Sequence, residues 1–411
     1  MYYVGIDWAD QKHDVTVVDE HGAIALKNFT LKKNPAGFAQ LVEKLRGLSA
    51  APTDFKVGIE TPHNLLVDYL LDFDYAVFTR FPGTMKSLRK RYRPSGARDD
   101  EFDAFVLADA LRTDKTCWRA VDLGSELVRE IRLCARHHHQ LVEEHVAAGN
   151  GLRATLKEYY PEFVEFFADV TCANARAFLC AYPEFELAAQ LTHGELAAFF
   201  KAHNLRNSKI VKAIDARLRQ AHLTVAAPLI RVKQIKALSC AKRLDALVPH
   251  LAHYERRLEE LLAQHPDGKI FLSYPGAATR TAARLLALFG DNRALYAGVQ
   301  EVQALAGTCP VTEQSGKNFR VVYFRRACNK FYRDTMHYLA FSSLNEAPWA
   351  RAYYDRHRNA GHKHSHALRC LAHVHLRVLF AMWQTRTCYD ENLFLAQRAR
   401  NDLAQQKNLK K

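Results

Sequence analysis

The first 115 residues place three short apolar runs one after another and then alternate helix with strand, an order that few folds accept. Tyr2–Asp7, His13–Asp19 and Ala23–Leu31 read as successive strands with short turns, one of them Glu20-His21-Gly22. Asn34-Pro35 then opens an amphipathic helix with Phe38, Leu41, Val42 and Leu45 on one face. A strand over Phe55–Glu60, a helix over 63–71, a strand over Tyr75–Phe81 and further helices follow. This is the element order of an RNase H-like fold. The expected class is therefore α/β plus α, with residues 1–120 as an RNase H-like (RuvC-like) domain.

Four carboxylates fall where such a fold would gather them. Asp7 and Glu60 end the first and fourth strands, within Gly5-Ile6-Asp7 and Gly58-Ile59-Glu60. Asp100 and Asp103 lie three residues apart at the head of a helical pattern, so they share a face. Asp99 competes with Asp100, because 99 and 103 also share a face, and it reads equally as a charge at a helix N-terminus. Converging acids repel one another unless cations sit between them, and Mg²⁺ takes oxygen ligands. Two such ions about 3.5–4 Å apart can clamp the attacking and leaving oxygens of a phosphodiester. Asp7, Glu60, Asp100 and Asp103 are thus candidate catalytic acids and Mg²⁺ ligands. A single strand-end acid is more often a turn residue, so the set and the element order carry this reading.

Residues 121–265 read as a helical connector. Leu127, Ile131, Leu141, Val142 and Val146 punctuate one long helix. Ala237, Cys240, Leu244, Leu247, Leu251, Tyr254, Leu258 and Leu261 alternate three and four apart in another, which is a coiled-coil seam. That seam suits pairing between protomers and suits an ordinary bundle helix equally. Pro249 is expected to kink or break it. Residues 266–390 read as a third, mainly helical domain, and 391–411 as a polar, basic tail.

Within the third domain, Gly307–Lys317 reads as a loop presenting a nucleophile. Ser315 is flanked by Gly316, and Lys317, Arg320, Arg325, Arg326, Lys330 and Arg333 follow with no acid from 317 to 333. Such cations suit a scissile phosphate and its developing charge, although a Ser-Gly-Lys turn is usually just solvated. A second acid-free basic stretch, Lys86, Arg89, Lys90, Arg91 and Arg93, precedes the acidic pair. It reads as a nucleic-acid contact or as a solvated helix face. The histidines at 137–139 and at 362, 364, 366, 373 and 375 show no full tetrahedral set with Cys370 and read as surface or phosphate-contacting groups.

A formal net charge of +14 fits a polyanionic partner, as it would fit any basic enzyme. No run of 18 apolar residues is present, so no membrane span is expected. The chain opens directly into a strand, which reads as the absence of a signal peptide. Nine scattered cysteines without a CxxC pair read as reduced thiols of a cytoplasmic protein.

Taken together, these motifs make the chain resemble the DEDD insertion-sequence transposases of the IS-one-ten and IS-eleven-eleven type over nearly all its length. Gly5-Ile6-Asp7 is similar to the family's opening motif, and Glu60-Thr61 to its strand-end Glu. Arg98-Asp99-Asp100-Glu101-Phe102-Asp103-Ala104 resembles its Lys-Thr-Asp-x-x-Asp-Ala, which selects Asp100 over Asp99. Ser273–Gly276, Gly307–Pro310, Ser315–Lys317 and Asn329–Arg333 resemble motifs of its second half. Two departures stand out: Pro275-Gly276-Ala277-Ala278 for Pro-Gly-Ile-Gly, and Ala327-Cys328-Asn329 for Arg-Gly-Asn. The resemblance implies a catalytic serine at Ser315 that forms a phosphoserine link, with Mg²⁺ on the four acids. It also implies target and donor DNA as partners, a structured guide RNA from the element's own ends, and a homo-oligomer, dimer or tetramer. The alternatives are a RuvC-like metal-dependent junction-resolving nuclease that leaves Ser315 structural, and a non-catalytic nucleic-acid-binding protein.

Overall fold

Val4-Gly5-Ile6 forms the middle of a six-stranded sheet in the computed structural model, which describes residues 1–9, 11–60, 65–80, 85–93, 99–114, 118–205, 207–315, 319–397 and 400. The chain divides into two compact units, residues 1–123 and 124–411.

In the first unit the strands are β1 (Tyr2–Trp8), β2 (Lys12–Val18), β3 (Ile24–Lys32), β4 (Phe55–Ile59), β5 (Ala76–Thr79) and β6 (Arg119–Ala120). They lie in the order β3-β2-β1-β4-β5-β6. β1 pairs antiparallel with β2 and parallel with β4, so the meander of the first three strands meets the crossover strands along β1. Helices α1 (Pro35–Arg46) and α2 (Leu65–Asp72) cover one face. Phe38, Leu41, Val42 and Leu45 of α1 and Leu66, Val67 and Leu70 of α2 bury against Val4, Ile6 and Val57. Helices α3 (Met85–Tyr92) and α4 (Asp100–Thr113) cover the other face. This is the RNase H-like arrangement expected from the element order.

The seating of α4 depends on one glycine. Gly5 and Gly58 face each other in the β1–β4 register. A Cβ on Gly5 would lie 2.0 Å from the Ala104 carbonyl oxygen and 2.5 Å from the Ala108 amide nitrogen. Both are rigid helix backbone, so β1 and α4 touch main chain to main chain only because residue 5 has no side chain. Ala104 and Ala108, fully buried, keep the α4 side equally thin.

The second unit is helical apart from one hairpin. Helices α5 (Glu126–Tyr159), α6 (Phe163–Phe166), α7 (Ala173–Ala181), α8 (Phe185–Ala189), α9 (His193–Ala202), α10 (Ser208–Leu218) and α11 (Ala227–Gln264) come first. Then follow α12 (Gly268–Leu272), α13 (Thr279–Phe289), α14 (Val299–Leu305), strands β7 (Pro310–Ser315) and β8 (Phe319–Phe324), and helices α15 (Lys330–Glu346), α16 (Pro348–Asn359) and α17 (His364–Thr385). α5 and α11 run antiparallel: Arg257 bonds Glu130, Tyr254 meets His137 and Lys233 pairs with Glu158. At one end of the pair, Leu152, Leu156, Ala237 and Leu244 join an aromatic core with Phe163, Phe178 and Phe200. At the other end, Ile131, Ala135, Leu258 and Leu261 join the core of α12–α17.

Of the two readings of the α11 seam, the bundle helix is the one seen within this chain, where α5 covers it. One expectation changes: α11 continues through Pro249 without a break; the Asp245 carbonyl loses its helical donor there, while α5 packs along the helix on both sides. Among the described residues, no helix is long and apolar enough to cross a membrane, and all eight cysteines are free.

Gly5→Ala should lower the unfolding free energy by about 1–3 kcal/mol, the usual overpacking cost. Gly151→Ala, on α5 where a Cβ would meet only the Cys240 sulfur at 3.7 Å, should raise it by up to about 1 kcal/mol. Urea unfolding of both variants checks the pair. Equal stability of Gly5→Ala and wild type would refute the main-chain contact.

Candidate active site

β1 and β4 run in parallel with Ile6 beside Ile59, so Asp7 and Glu60 emerge next to each other at the same end of the sheet. The thin contact at Gly5 lays the first turn of α4 across that end. Asp99 caps α4, its carboxylate accepting from the Phe102 amide at 2.6 Å. The pairing with Arg93 (2.6 Å), and then the cap bond from Phe102, hold the Asp99 carboxyl below its usual value. Asp100 and Asp103 follow in the first turn, Asp100 exposed and Asp103 buried.

The charges of this cluster show in Asp7. Its pKa is pushed up from 3.8 to about 7, first by burial and then by the charges of Asp103, Asp100 and Glu60, with Arg89 opposing. Four carboxylates that cannot all ionise cheaply are a donor set suited to a hard divalent cation.

Arg89 sits on this set. Its Nε and Nη2 donate to the two Asp103 carboxylate oxygens at 2.5 and 2.6 Å, and this bidentate pairing raises the guanidinium pKa. Arg89, expected among the nucleic-acid contacts, is thus engaged by an acid of the cluster. Lys12 was not anticipated: it lies 3.8 Å from Asp100 and 3.6 Å from Asp14. Asp14, paired across the sheet with Asp7, is held by Thr30 at 2.8 Å. Neither residue belongs to a recognisable local motif.

The rest of α3 divides in two. Arg91 reaches Thr113 and Asp114, and Arg93 reaches Asp99 and lies over the Phe102 ring. Lys86 and Lys90 are exposed and unpaired among the described residues.

In the second unit, residues 310–315 of the expected Gly307–Lys317 loop are a strand, paired antiparallel with 319–324 in a hairpin. Pro310-Val311-Thr312 and Val321-Val322-Tyr323-Phe324 supply the β-branched and aromatic side chains that favour strands. Ser315 is the last residue of β7, opposite Phe319 in the register, and is exposed. Lys317 and Gly316 lie outside the described residues, as does the Arg320 side chain. Arg325, Arg326 and Lys330 are exposed where β8 leads into α15, and Arg333 pairs with Asp334 at 2.9 Å. A cavity of about 340 Å³ near the hairpin base is lined by Thr308, Arg333, Asp334, His337 and Arg369. Arg369 joins these surroundings only through folding, because it comes from α17, while His337 lies one turn after Arg333 on α15.

A different serine looks more like a hydrolase nucleophile and is not one. The Ser343 hydroxyl lies 2.9 Å from His375 Nε2, and Tyr274 lies 2.5 Å from His375 Nδ1. All three are buried, and burial alone pushes His375 down to about 3. The trio pins the Tyr274-Pro275-Gly276 turn to α15 and α17. The Gly276 amide, in the motif that departs from Pro-Gly-Ile-Gly, donates to Glu346 at 2.7 Å.

Two family descriptions match the chain. Residues 4–161 match a transposase family of the DEDD, IS110 type, and residues 268–355 match the transposase IS116/IS110/IS902 family. Asp7, Glu60, Asp100 and Asp103 fall in the first segment and Ser315 in the second. A putative mini-circle transposase for IS117 from Streptomyces coelicolor is 31% identical over 95% of each chain. The chain belongs to the IS110 family of transposases.

Further relatives are an insertion element IS110 protein of Streptomyces coelicolor, 28% identical over 73% of this chain and 74% of its own. An IS900 protein of Mycobacterium paratuberculosis is 26% identical over 72% and 74%. The transposase is therefore an enzyme acting on DNA, and its DEDD domain points to divalent-metal dependence.

The folded state of the transposase binds the Asp7 proton more tightly than the unfolded chain. Its stabilising contribution is present at acid pH and is lost as pH rises from 3.8 through about 7. Without divalent cations, the melting temperature should fall as pH rises from about 4 through about 7. Asp7→Asn should flatten that fall. A wild-type profile as flat as the variant's would remove the charge coupling.

Lys86→Ala with Lys90→Ala should weaken binding to DNA of any sequence and lower the salt slope by about 2. Filter binding across a salt series measures it. An unchanged slope would leave α3 a solvated face.

Proposed function

We propose that this transposase cuts and rejoins DNA through a covalent Ser315 phosphoester, with Mg²⁺ held by Asp7, Glu60, Asp100 and Asp103. The observation that carries the metal reading is the gathering of the four acids at one place, where their charges add to burial in lifting Asp7 to about 7. When bound, the cation supplies positive charge against the phosphodiester being cut. Ser315 supplies an exposed hydroxyl at a hairpin tip with Arg325 and Arg326 on the following segment. Its Oγ bonds to phosphorus as the strand oxygen leaves, so one phosphoester replaces another and no bond energy goes to water. A hydroxyl of a second strand then displaces Ser315 and restores the free serine. Its proton has a suited acceptor in a carboxylate of the acid set.

The acids and the serine act together in an assembled homo-oligomer on target and donor DNA. A structured RNA from the element's ends guides the choice of DNA, a reading that rests on the family likeness.

Ser315→Ala should abolish both recombination and the protein–DNA adduct on denaturing gels while sparing DNA binding. Asp100→Asn should abolish recombination with the fold intact, since an amide of equal size loses the charge that holds the cation. Metal-dependent cleavage by the wild type with no adduct would favour the hydrolytic nuclease and sink the serine. Sequencing of co-purifying RNA should return element-end transcripts. A random collection would remove the guide.

A further inference from the structure

The turn between α16 and α17 carries three histidines whose nitrogens converge. α16 ends in a Schellman motif: the His362 amide donates to the His357 carbonyl, and the Gly361 amide donates to that of Arg358. Gly361 supplies the left-handed residue, at φ +85°. This motif brings the side chains of its first and last residues together, ordinarily as an apolar contact. Here both are histidines, His357 and His362, with ring centroids 5.4 Å apart. The first turn of α17 adds His366, stacked on His362 at 4.4 Å.

One nitrogen from each of the three rings lies within 4.8 Å of the others. Among the described residues, no hydrogen bond engages any of these ring nitrogens. Burial, and then the charges of Arg356 beside His357 and of Arg369 beside His366, lower the pKa of these two histidines.

We propose that His357, His362 and His366 form a binding site for a borderline transition-metal ion of the Zn²⁺ type. Imidazole nitrogen suits such an ion, unlike the oxygen donors of the acid cluster. Tetrahedral coordination at about 2.1 Å places ligand nitrogens about 3.4 Å apart. The exposed His362 side chain can close the remaining gap by rotating. Three protein ligands leave a fourth position, and a cavity of about 360 Å³ lined by His362, His366, Ser365, Lys363 and Arg369 adjoins it. Its cations favour an anion or water there. Phe324, the last residue of β8, rests on His366 at 5.1 Å beneath Arg369. Metal at this site would therefore fix the base of the hairpin whose other strand ends in Ser315.

The test uses the full-length transposase without a polyhistidine tag, with excess Mg²⁺ to fill the acid cluster. Co²⁺ is added and its visible absorption followed. A tetrahedral nitrogen site gives an intense band, and octahedral oxygen sites a weak one. One intense equivalent per chain, displaced by Zn²⁺, is expected. His362→Ala and His366→Ala should each weaken Co²⁺ binding by about a hundredfold or more, with circular dichroism unchanged. His364→Ala, whose ring bonds the Tyr354 hydroxyl instead, should bind as wild type. No intense band in the wild type, or a band that persists in either of the first two variants, overturns the proposal.

Discussion

The main-chain contact between β1 and α4 at Gly5 sets the geometry on which the acid cluster depends. Sheets and helices normally pack about 10 Å apart, with side chains filling the space. Here the gap closes locally because Gly5, Ala104 and Ala108 contribute almost nothing to it. The first turn of α4 therefore lies close over the strand end, and Asp103 comes within electrostatic reach of Asp7 and Glu60. A larger residue at position 5 would tilt or lift α4 and separate acids from two parts of the chain.

Bringing four carboxylates together has a cost in repulsion, which the fold meets in two ways. Asp7 takes up a proton near neutral pH, and Arg89 places a guanidinium on Asp103. A buried bidentate pair of this kind satisfies geometry as well as charge. Both devices are displaceable by a divalent cation, one by losing a proton and the other by rotating an arginine. The acid cluster can thus persist in a folded chain before any metal arrives.

Much of this was legible in the sequence because it is local. Asp7, Glu60, Asp100 and Asp103 each sit in a short pattern that names its own strand end or helix start. The N-cap role of Asp99 was legible as one of two readings, and the hydrogen bond from the Phe102 amide shows that role. What escaped depends on partners distant in the chain. Arg89 looked like a free surface cation because its acid comes from the next helix. The α11 seam was visible as a seam, but its partner α5 lies far upstream. The hairpin was hidden because Gly307, Gly316 and Ser315 read as loop formers, while the strand signal lies mostly in the arm after the turn. The three histidines converge only once Gly361 turns left-handed, which spacing alone does not reveal.

The antiparallel α5–α11 pair has a mechanical consequence. Its two ends belong to different cores, one built on Ile131 and Leu258 and the other on Leu152 and Leu244. Ile131 and Leu152 are separated along α5 by about 30 Å at 1.5 Å per residue. A helix pair of that length is a lever arm. A tilt of about 10° at the base would carry the aromatic end about 5 Å, more than the ~3.4 Å step of one nucleotide along a DNA strand. Repacking one layer of side chains around Leu258 would then appear as a displacement of several ångströms at the far end.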